Sequence, residues 1–381
     1  MNINHFLRMR IGINTRFLLT RKMEGFGWYT YETISRIVKN HPEHEFIFFF
    51  DRAYDPSFVF SDNVTPVVLS PQARHPILFK IWFDYSITSA LKKHKCDAFI
   101  SPDGYVSLRT SVPQLAVIHD LNFEYNPEDL PKSALKYLKK YVPKFAAKAN
   151  RILTVSEYSK KDIIATYGID EAKIDVAWNG ASPVFKPISM DAQEAVRQKY
   201  TAGKPYLLFV GALHKRKNLS RLFQAFSNVK NTYDFPHQLL VVGEALWEHD
   251  QIDIPASIAQ DLHFTGHLQL SDLADVMAAA DLLTFVSYFE GFGIPIVEAM
   301  QAGTPVLAGN KTSLPEVGGS AVRYCNPYDV SDISHQIIFL LENPDERELL
   351  KNKGLERAKE FSWDNTAAGM WRSFEKMMGG G

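Results

Sequence analysis

Three consecutive cations, Lys215, Arg216 and Lys217, sit between the apolar run 206–211 and a helix-forming stretch. Positive charge at the amino end of a helix opposes the macrodipole, at a cost of a few tenths to about 1 kcal/mol, so the pattern asks for an anion. A bound diphosphate would supply one. Alone, the same residues also read as a solvated basic turn. A second segment points the same way: Ser287-Tyr288-Phe289-Glu290-Gly291-Phe292-Gly293 follows the apolar run 282–286 and leads into a helix with Pro295 near its first position. Gly291 and Gly293 free the backbone amides of that turn to face a ligand. Glu290 and Glu298 bracket it with seven residues between them, so both can reach one strand-end crevice. Each acid has a plainer explanation, an exposed loop carboxylate for Glu290 and a favourable helix-dipole partner for Glu298. Their coincidence with the glycines is harder to explain that way.

The amino-terminal half carries a weaker version of the same chemistry. Gly25 and Gly27, in Glu24-Gly25-Phe26-Gly27, fall between a strand and a helix, where backbone can approach a phosphate. An isolated Gly-x-Gly is equally a turn that needs positive φ. His119 and Asp120 end the apolar run AVIHD, which places an imidazole at the edge of a sheet where ligands bind. Ser156 and Glu157 read as a helix amino-terminal device rather than as catalysts.

Such residues need strand ends to hold them, and the chain supplies two series. Strands are expected at 9–14, 45–50, 65–69, 98–101, 114–119 and 151–155, with helices near 28–39, 77–93, 132–149 and 157–167. A second set has strands at 206–211, 238–243, 262–265, 282–286 and 305–308, with helices at 219–229, 271–280 and 295–301. The alternation argues for parallel α/β sheets covered on both faces. The segment 182–204, marked by Pro183, Pro187 and Gly203, reads as a linker. The expected domains are therefore 1–185 and 203–362, with a last helix in 363–381 returning to the first. Two doubly wound domains would face each other across a cleft.

The length of 381 residues suits two such cores, and 46% hydrophobic with 22% charged residues excludes a disordered or coiled-coil chain. Two cysteines, Cys96 and Cys325, are too few for a disulfide framework or a four-cysteine zinc site, and point to a reducing compartment. No leader peptide is expected, and no apolar run is long enough to span a bilayer. The net charge of −1 disfavours nucleic acid, although the halves differ: 24 basic against 19 acidic residues through Phe185, and 18 against 24 beyond it.

On these residues the chain resembles the retaining glycosyltransferases of family 4, which have the GT-B fold of two Rossmann-like domains. The similarity runs over residues 9–371. It rests on Glu24-Gly25-Phe26-Gly27, His119-Asp120, Thr154-Val155-Ser156-Glu157, the turn from Gly211 to Arg216-Lys217-Asn218, and Glu290-Gly291-Phe292-Gly293 with Glu298-Ala299-Met300. The Glu-x7-Glu pair with its glycines is the most specific of these, and Ser313-Leu314-Pro315-Glu316-Val317-Gly318 fits the segment that follows. The resemblance implies a mannosyltransferase-like enzyme whose second domain holds a nucleotide-diphosphate sugar, GDP-mannose or a UDP-hexose. The first domain would hold a glycan or lipid-linked acceptor.

By the same resemblance His119, Arg216, Lys217 and Glu290 are the catalytic residues. The two cations would neutralise the diphosphate, Glu290 would bind hydroxyls of the transferred sugar, and His119 would lie near the reacting carbon. Gly25, Gly27, Gly211, Gly266, Gly291, Phe292, Gly293 and Glu298 complete the donor set, with Glu298 on the ribose and the turn at Gly266 on the base. Ala212 stands where some members carry an arginine, which leaves more of the charge to Arg216. No Asp-x-Asp pair is present to hold a divalent ion, so neither metal nor cofactor is expected. The implied reaction is front-face transfer with retention, a donor phosphate oxygen taking the acceptor proton. It would serve surface polysaccharide or glycolipid synthesis.

The expected location is cytoplasmic and peripheral to the membrane, with the basic amphipathic stretch Lys132–Lys148 as the face for anionic lipid. The plainer reading packs the apolar side of that helix on the sheet, with a kink at Pro143. Competing functions are a nucleotide-sugar epimerase or phosphorylase of the same architecture, and a non-catalytic sugar-nucleotide-binding partner.

Overall fold

The computed structural model describes residues 8–20, 23–244 and 253–379. They form two compact units: the chain up to Asn179 together with Trp363 onward, and Gly180–Ser362.

The first unit begins with β1 (Arg10–Asn14), α1 (Gly25–Asn40), β2 (Glu45–Phe50) and β3 (Val64–Val68). The run expected as one helix over 77–93 is three pieces: α2 (Pro76–Ile81), a π-helical turn (Trp82–Ile87) and α3 (Thr88–Lys93). Trp82, Phe83 and Ile87 of that turn all enter the core. Then come β4 (Ala98–Ser101), β5 (Gln114–Val117), α4 (Asn122–Tyr125), α5 (Lys132–Lys148), β6 (Arg151–Thr154), α6 (Glu157–Tyr167) and β7 (Ile174–Val176). All strands run parallel in the order β3-β2-β1-β4-β5-β6-β7. Their apolar runs, such as Phe46 through Phe50, are buried because helices cover both faces. β5 stops at Val117, two residues short of His119. α5 runs unbroken through Pro143 and buries Tyr137, Val142, Phe145 and Ala146, so its apolar side does pack on the sheet.

The second unit takes in α7 (Met190–Thr201), inside the segment read as a linker; Ser189 caps it, and it packs on α9 (Leu270–Ala279). The sheet follows: β8 (Tyr206–Val210), α8 (Leu219–Thr232), β9 (Gln238–Val242), β10 (Leu262–Gly266), β11 (Leu282–Phe285), α10 (Ile294–Ala302), β12 (Val306–Gly309), α11 (Leu314–Gly318) and β13 (Arg323–Cys325). It is parallel in the order β10-β9-β8-β11-β12-β13. Two helices absent from the expected set, α12 (Val330–Glu342) and α13 (Pro344–Ala358), complete its cover. The last helix, α14 (Trp363–Met377), belongs to the first unit and packs against α1. Cys96 and Cys325 are free and buried, and burial pushes both thiols up to about 12. Among the described residues no helix is long and apolar enough to cross a membrane.

Candidate active site

In each sheet the strand order reverses at one place, between β1 and β4 and between β8 and β11. Loops leaving the carboxyl ends of such a strand pair diverge and open a crevice, the usual ligand position in open α/β sheets. The cationic turn follows β8 and the Glu290 turn follows β11, so both lie at the switch of the second sheet.

The chain leaves β8 through Gly211, at φ +147, while the Gly243 backbone passes so close that a Cβ there would lie 1.9 Å from the Gly211 carbonyl oxygen. Glycine is obligatory at 243, a requirement that the sequence reading did not single out. Lys215–Lys217 then forms one 3-10 turn, and Asn218 closes it at φ +66. The Asn218 amide donates to the carbonyls of Val286 at 3.0 Å and Pro327 at 2.6 Å, pinning the turn to the ends of β11 and β13. Lys217 and Arg216 thereby reach Glu290. Lys217 Nζ donates to Glu290 Oε1 at 2.7 Å, and Arg216 Nη1 to Oε2 at 2.9 Å. Arg216 also donates to the Phe289 carbonyl at 3.2 Å. Lys217 is 9% and Glu290 5% exposed, so that arm of the bridge is nearly dry, while Arg216 is half-buried. Burial alone would raise the Glu290 carboxyl, but Lys217 and Arg216 outweigh it and hold the group below its ordinary range. Two cations thus share one carboxylate at the strand ends, a concentration of positive charge of the kind that carboxylates and phosphates pair with.

The turn is held from behind by Thr312, which the sequence reading did not single out, and by Ser313, which it placed only in the segment that follows the Glu290 motif. Thr312 Oγ1 accepts the Glu290 N–H at 3.1 Å, and Ser313 Oγ donates to the carbonyls of Glu290 at 2.9 Å and Phe292 at 3.1 Å. Gly291 and Phe292 are buried, and the Phe292 ring meets Phe361 edge-on at 5.8 Å. Phe292 is thus an anchor for the turn. Gly293 opens α10 at φ +98. Glu298, one turn into α10, stands apart from the bridge and pairs with no cation among the described residues. Its side chain keeps partial access to solvent, yet the protein around it pushes the carboxyl up to about 7. Gly266 ends β10 at φ +67 with open space on its Cβ side, and its carbonyl accepts the Gly243 N–H at 3.0 Å.

At the edge of the first sheet, His119 Nε2 donates to the Pro102 carbonyl at 2.8 Å, which leaves Nδ1 as the acceptor. Burial lowers the imidazole pKa, so the ring is neutral at pH 7. Phe26 at 4.9 Å and Tyr29 at 4.6 Å hold it edge-on. The two glycines of α1 differ. A Cβ on Gly27 would meet the Phe17 carbonyl oxygen at 2.6 Å, whereas one on Gly25 would meet nothing within 4 Å. Ser156 caps α6 by accepting the Ser159 N–H at 3.0 Å, the structural role expected of it.

The same edge holds a buried ion pair absent from the sequence reading. Arg16 Nε donates to Asp103 Oδ2 at 2.6 Å, inside a box formed by Phe17, Phe79, Phe83 and Tyr105. Asn14 donates to Asp103 Oδ1 at 2.8 Å. The available signal was a polar residue ending a buried strand, Asn14 in β1 and Ser101 in β4.

Comparison with known proteins shows the family and the fold. Residues 23–184 match Glycosyltransferase Family 4, and residues 192–357 match Glycosyl transferases group 1. The chain is 33% identical over 280 residues to O-antigen chain mannosyltransferase B of Escherichia coli, covering 72% of this chain and 73% of that protein. It is 29% identical over 230 residues to the MMP alpha-(1->4)-mannosyltransferase of Mycolicibacterium hassiacum, covering 59% of this chain and 54% of that one. Among solved structures, WaaG, a glycosyltransferase involved in lipopolysaccharide biosynthesis, superposes with a TM-score of 0.75 at 16% identity, over 97% of this chain and all (100%) of that one. Alr3699/HepE of Anabaena, in complex with UDP and glucose, gives 0.74 at 17% identity, over 97% and 100%. The architecture of two parallel Rossmann-like sheets is GT-B, and the chain belongs to glycosyltransferase family 4, an enzyme family of hexosyltransferases.

Proposed function

We propose that this enzyme moves a hexose, mannose in the first instance, from a nucleotide-diphosphate sugar to a glycan or lipid-linked acceptor, with retention at the anomeric carbon. The second unit holds the donor and the first the acceptor. The observation that carries the reading is the bridge of buried Lys217 and half-buried Arg216 on buried Glu290 at the switch point of the second sheet. A donor diphosphate placed there meets positive charge fixed in advance, which is most effective where water is excluded. As the glycosidic bond opens, negative charge grows on the leaving diphosphate, and the same cations and the amides around Gly293 stabilise it. Glu290 takes sugar hydroxyls and Glu298 those of the ribose. His119, neutral and with Nδ1 as acceptor, receives a hydroxyl of the transferred sugar without adding a cation beside the electron-poor carbon. A donor phosphate oxygen removes the acceptor proton.

Mannose is favoured because both curated relatives named above are mannosyltransferases; the UDP and glucose in the Anabaena structure keep a UDP-hexose as the competing donor. The acceptor is a surface polysaccharide or glycolipid intermediate, presented at an anionic membrane face. Exposed lysines of α5 lie beside α2, whose Phe79 meets Tyr137 of α5 at 5.5 Å, and Ile77, Ile81 and Tyr85 form an exposed stripe there. Cations around apolar and tyrosine side chains suit anionic headgroups. Sedimentation with anionic and neutral vesicles tests this, and equal weak binding to both removes it.

The donor test is a thermal-shift panel of UDP, GDP, ADP and CDP with their hexose conjugates. A ligand at a hundredfold its Kd adds roughly 2.7 kcal/mol of stability, an easily read shift. Response to GDP and GDP-mannose, followed by turnover with an oligosaccharide or lipid-linked acceptor, is the expected result. Hydrolysis or epimerisation of the donor without transfer would count against the reading.

A further inference from the structure

Thr312 is in the wrong conformation for its shape. Its φ is +55, and it is the only β-branched residue at positive φ among the described residues, the other non-glycine cases being Lys95, Ala202 and Asn218. A branched Cβ crowds the backbone in this region, and such a residue persists only where its surroundings over-determine it. Those surroundings are visible. Thr312 Oγ1 accepts from the Glu290 N–H at 3.1 Å and donates to the Lys311 carbonyl at 2.8 Å. The next side chain, Ser313, has no exposed surface and donates to the Glu290 carbonyl at 2.9 Å. Two consecutive hydroxyls after β12 therefore grip both backbone polar groups of Glu290, the residue whose carboxylate spans Arg216 and Lys217. The Glu290 N–H is thereby engaged within the protein.

We propose that Thr312 is a positioning residue for the donor site: its hydroxyl, delivered by a strained left-handed backbone, locks Glu290 in the register that bridges Arg216 and Lys217. The inference rests on the reading of the Glu290 turn as the place where the donor diphosphate binds. Glycine would suit the backbone at 312 better and serine would keep the hydroxyl, so the two requirements can be separated.

The experiment compares Thr312→Ser, Thr312→Val and Thr312→Gly in the full chain. It reads amide hydrogen exchange at Glu290, melting temperature, and binding of whichever of UDP or GDP stabilises the wild type. Thr312→Ser is expected to match wild type within about twofold. Thr312→Val and Thr312→Gly are each expected to speed Glu290 exchange and weaken nucleoside diphosphate binding by about tenfold, the scale of one lost hydrogen bond. Thr312→Gly should melt above Thr312→Val, because glycine relieves the backbone. Should Thr312→Val fail to fold, the serine and glycine variants still separate hydroxyl from backbone. Slow Glu290 exchange in Thr312→Gly, loss of binding shared by Thr312→Ser, or a Thr312→Gly protein that melts below Thr312→Val would each overturn the proposal. If the wild type binds no nucleoside diphosphate, the donor reading fails, while Glu290 exchange still decides whether the hydroxyl grips that peptide.

Discussion

Lys217 and Glu290 face each other at 2.7 Å in nearly dry surroundings, where a missing charge is not made good by water. Lys217→Ala leaves Glu290 with Arg216 alone and removes one of the two charges proposed for the leaving diphosphate. By analogy with deleting one oxyanion-hole donor, turnover should fall by about 100- to 1,000-fold, measured as donor consumption in the presence of acceptor. Full activity in that variant would sink the assignment. Glu298 makes a different prediction, because burial raises its carboxyl to about 7. Between its ordinary value and 7 the folded chain keeps a proton that the unfolded chain has released, so this group's contribution to stability declines as pH rises through that window. Glu298→Gln should flatten the slope of melting temperature between pH 5 and 7 seen in the wild type. If the ionised carboxylate also takes ribose hydroxyls, nucleotide binding releases a proton and tightens from pH 6 to pH 8. Calorimetry in buffers of different ionisation enthalpy reads that proton directly, and no proton release at pH 6.5 would remove Glu298 from the donor site.

At the scale of elements, the glycines of α1 separate packing from ligand approach. Gly27→Ala drives a methyl group into the Phe17 carbonyl and should lower the melting temperature. Gly25→Ala, with open space around it, should leave stability intact, helped by the better helix propensity of alanine, and reduce only turnover or donor affinity. Equal loss of stability in both variants would contradict this. These elements were legible in the sequence to different degrees. Long apolar runs such as Phe46 through Phe50 and Tyr206 through Val210 announce buried parallel strands by composition alone. β7 and β13 do not, because each has three residues and carries a polar one, Asp175 or Arg323. α13 buries only Leu350, Gly354 and Ala358 along a charged stretch, too thin a stripe to stand out. The candidate site shows the same division. Types and spacing mark Arg216, Lys217 and Glu290 locally, but the bridge between them closes over 73 residues of chain. Arg16 and Asp103 pair across 87 residues because β1 lies beside β4 in the sheet, an adjacency set by topology and invisible to periodicity.

At the scale of the molecule, each unit has its own core, and the last helix of the chain serves the first. Trp363, Met370, Trp371 and Phe374 of α14 are buried, and the Trp371 ring stacks on His41 beyond the end of α1 at 3.7 Å. Asp175 in β7 fixes the helix: Ser373 Oγ donates to it at 2.7 Å and Lys376 Nζ at 2.9 Å, with Arg151 of β6 on the same carboxylate. Burial alone would raise the Asp175 pKa, but Arg151, Lys376 and Ser373 outweigh it and depress it well below the ordinary value. A depressed carboxyl contributes stability above its unfolded pKa and loses it as pH falls through the folded one, so α14 should loosen only in strong acid, below about pH 4. Asp175→Asn moves that loss to neutral pH. In the full chain at pH 7 it should cost roughly 1–3 kcal/mol, the scale of hydrogen bonds to a charged group. Hydrogen exchange should rise in α14, β6 and β7, while the second unit keeps its exchange pattern and its stabilisation by nucleotide. The two units would then respond separately to one substitution, as expected of separate cores. Faster exchange spread evenly through β8 to β13 would instead make the chain a single cooperative unit, and the division at Asn179 a matter of contact density rather than of folding.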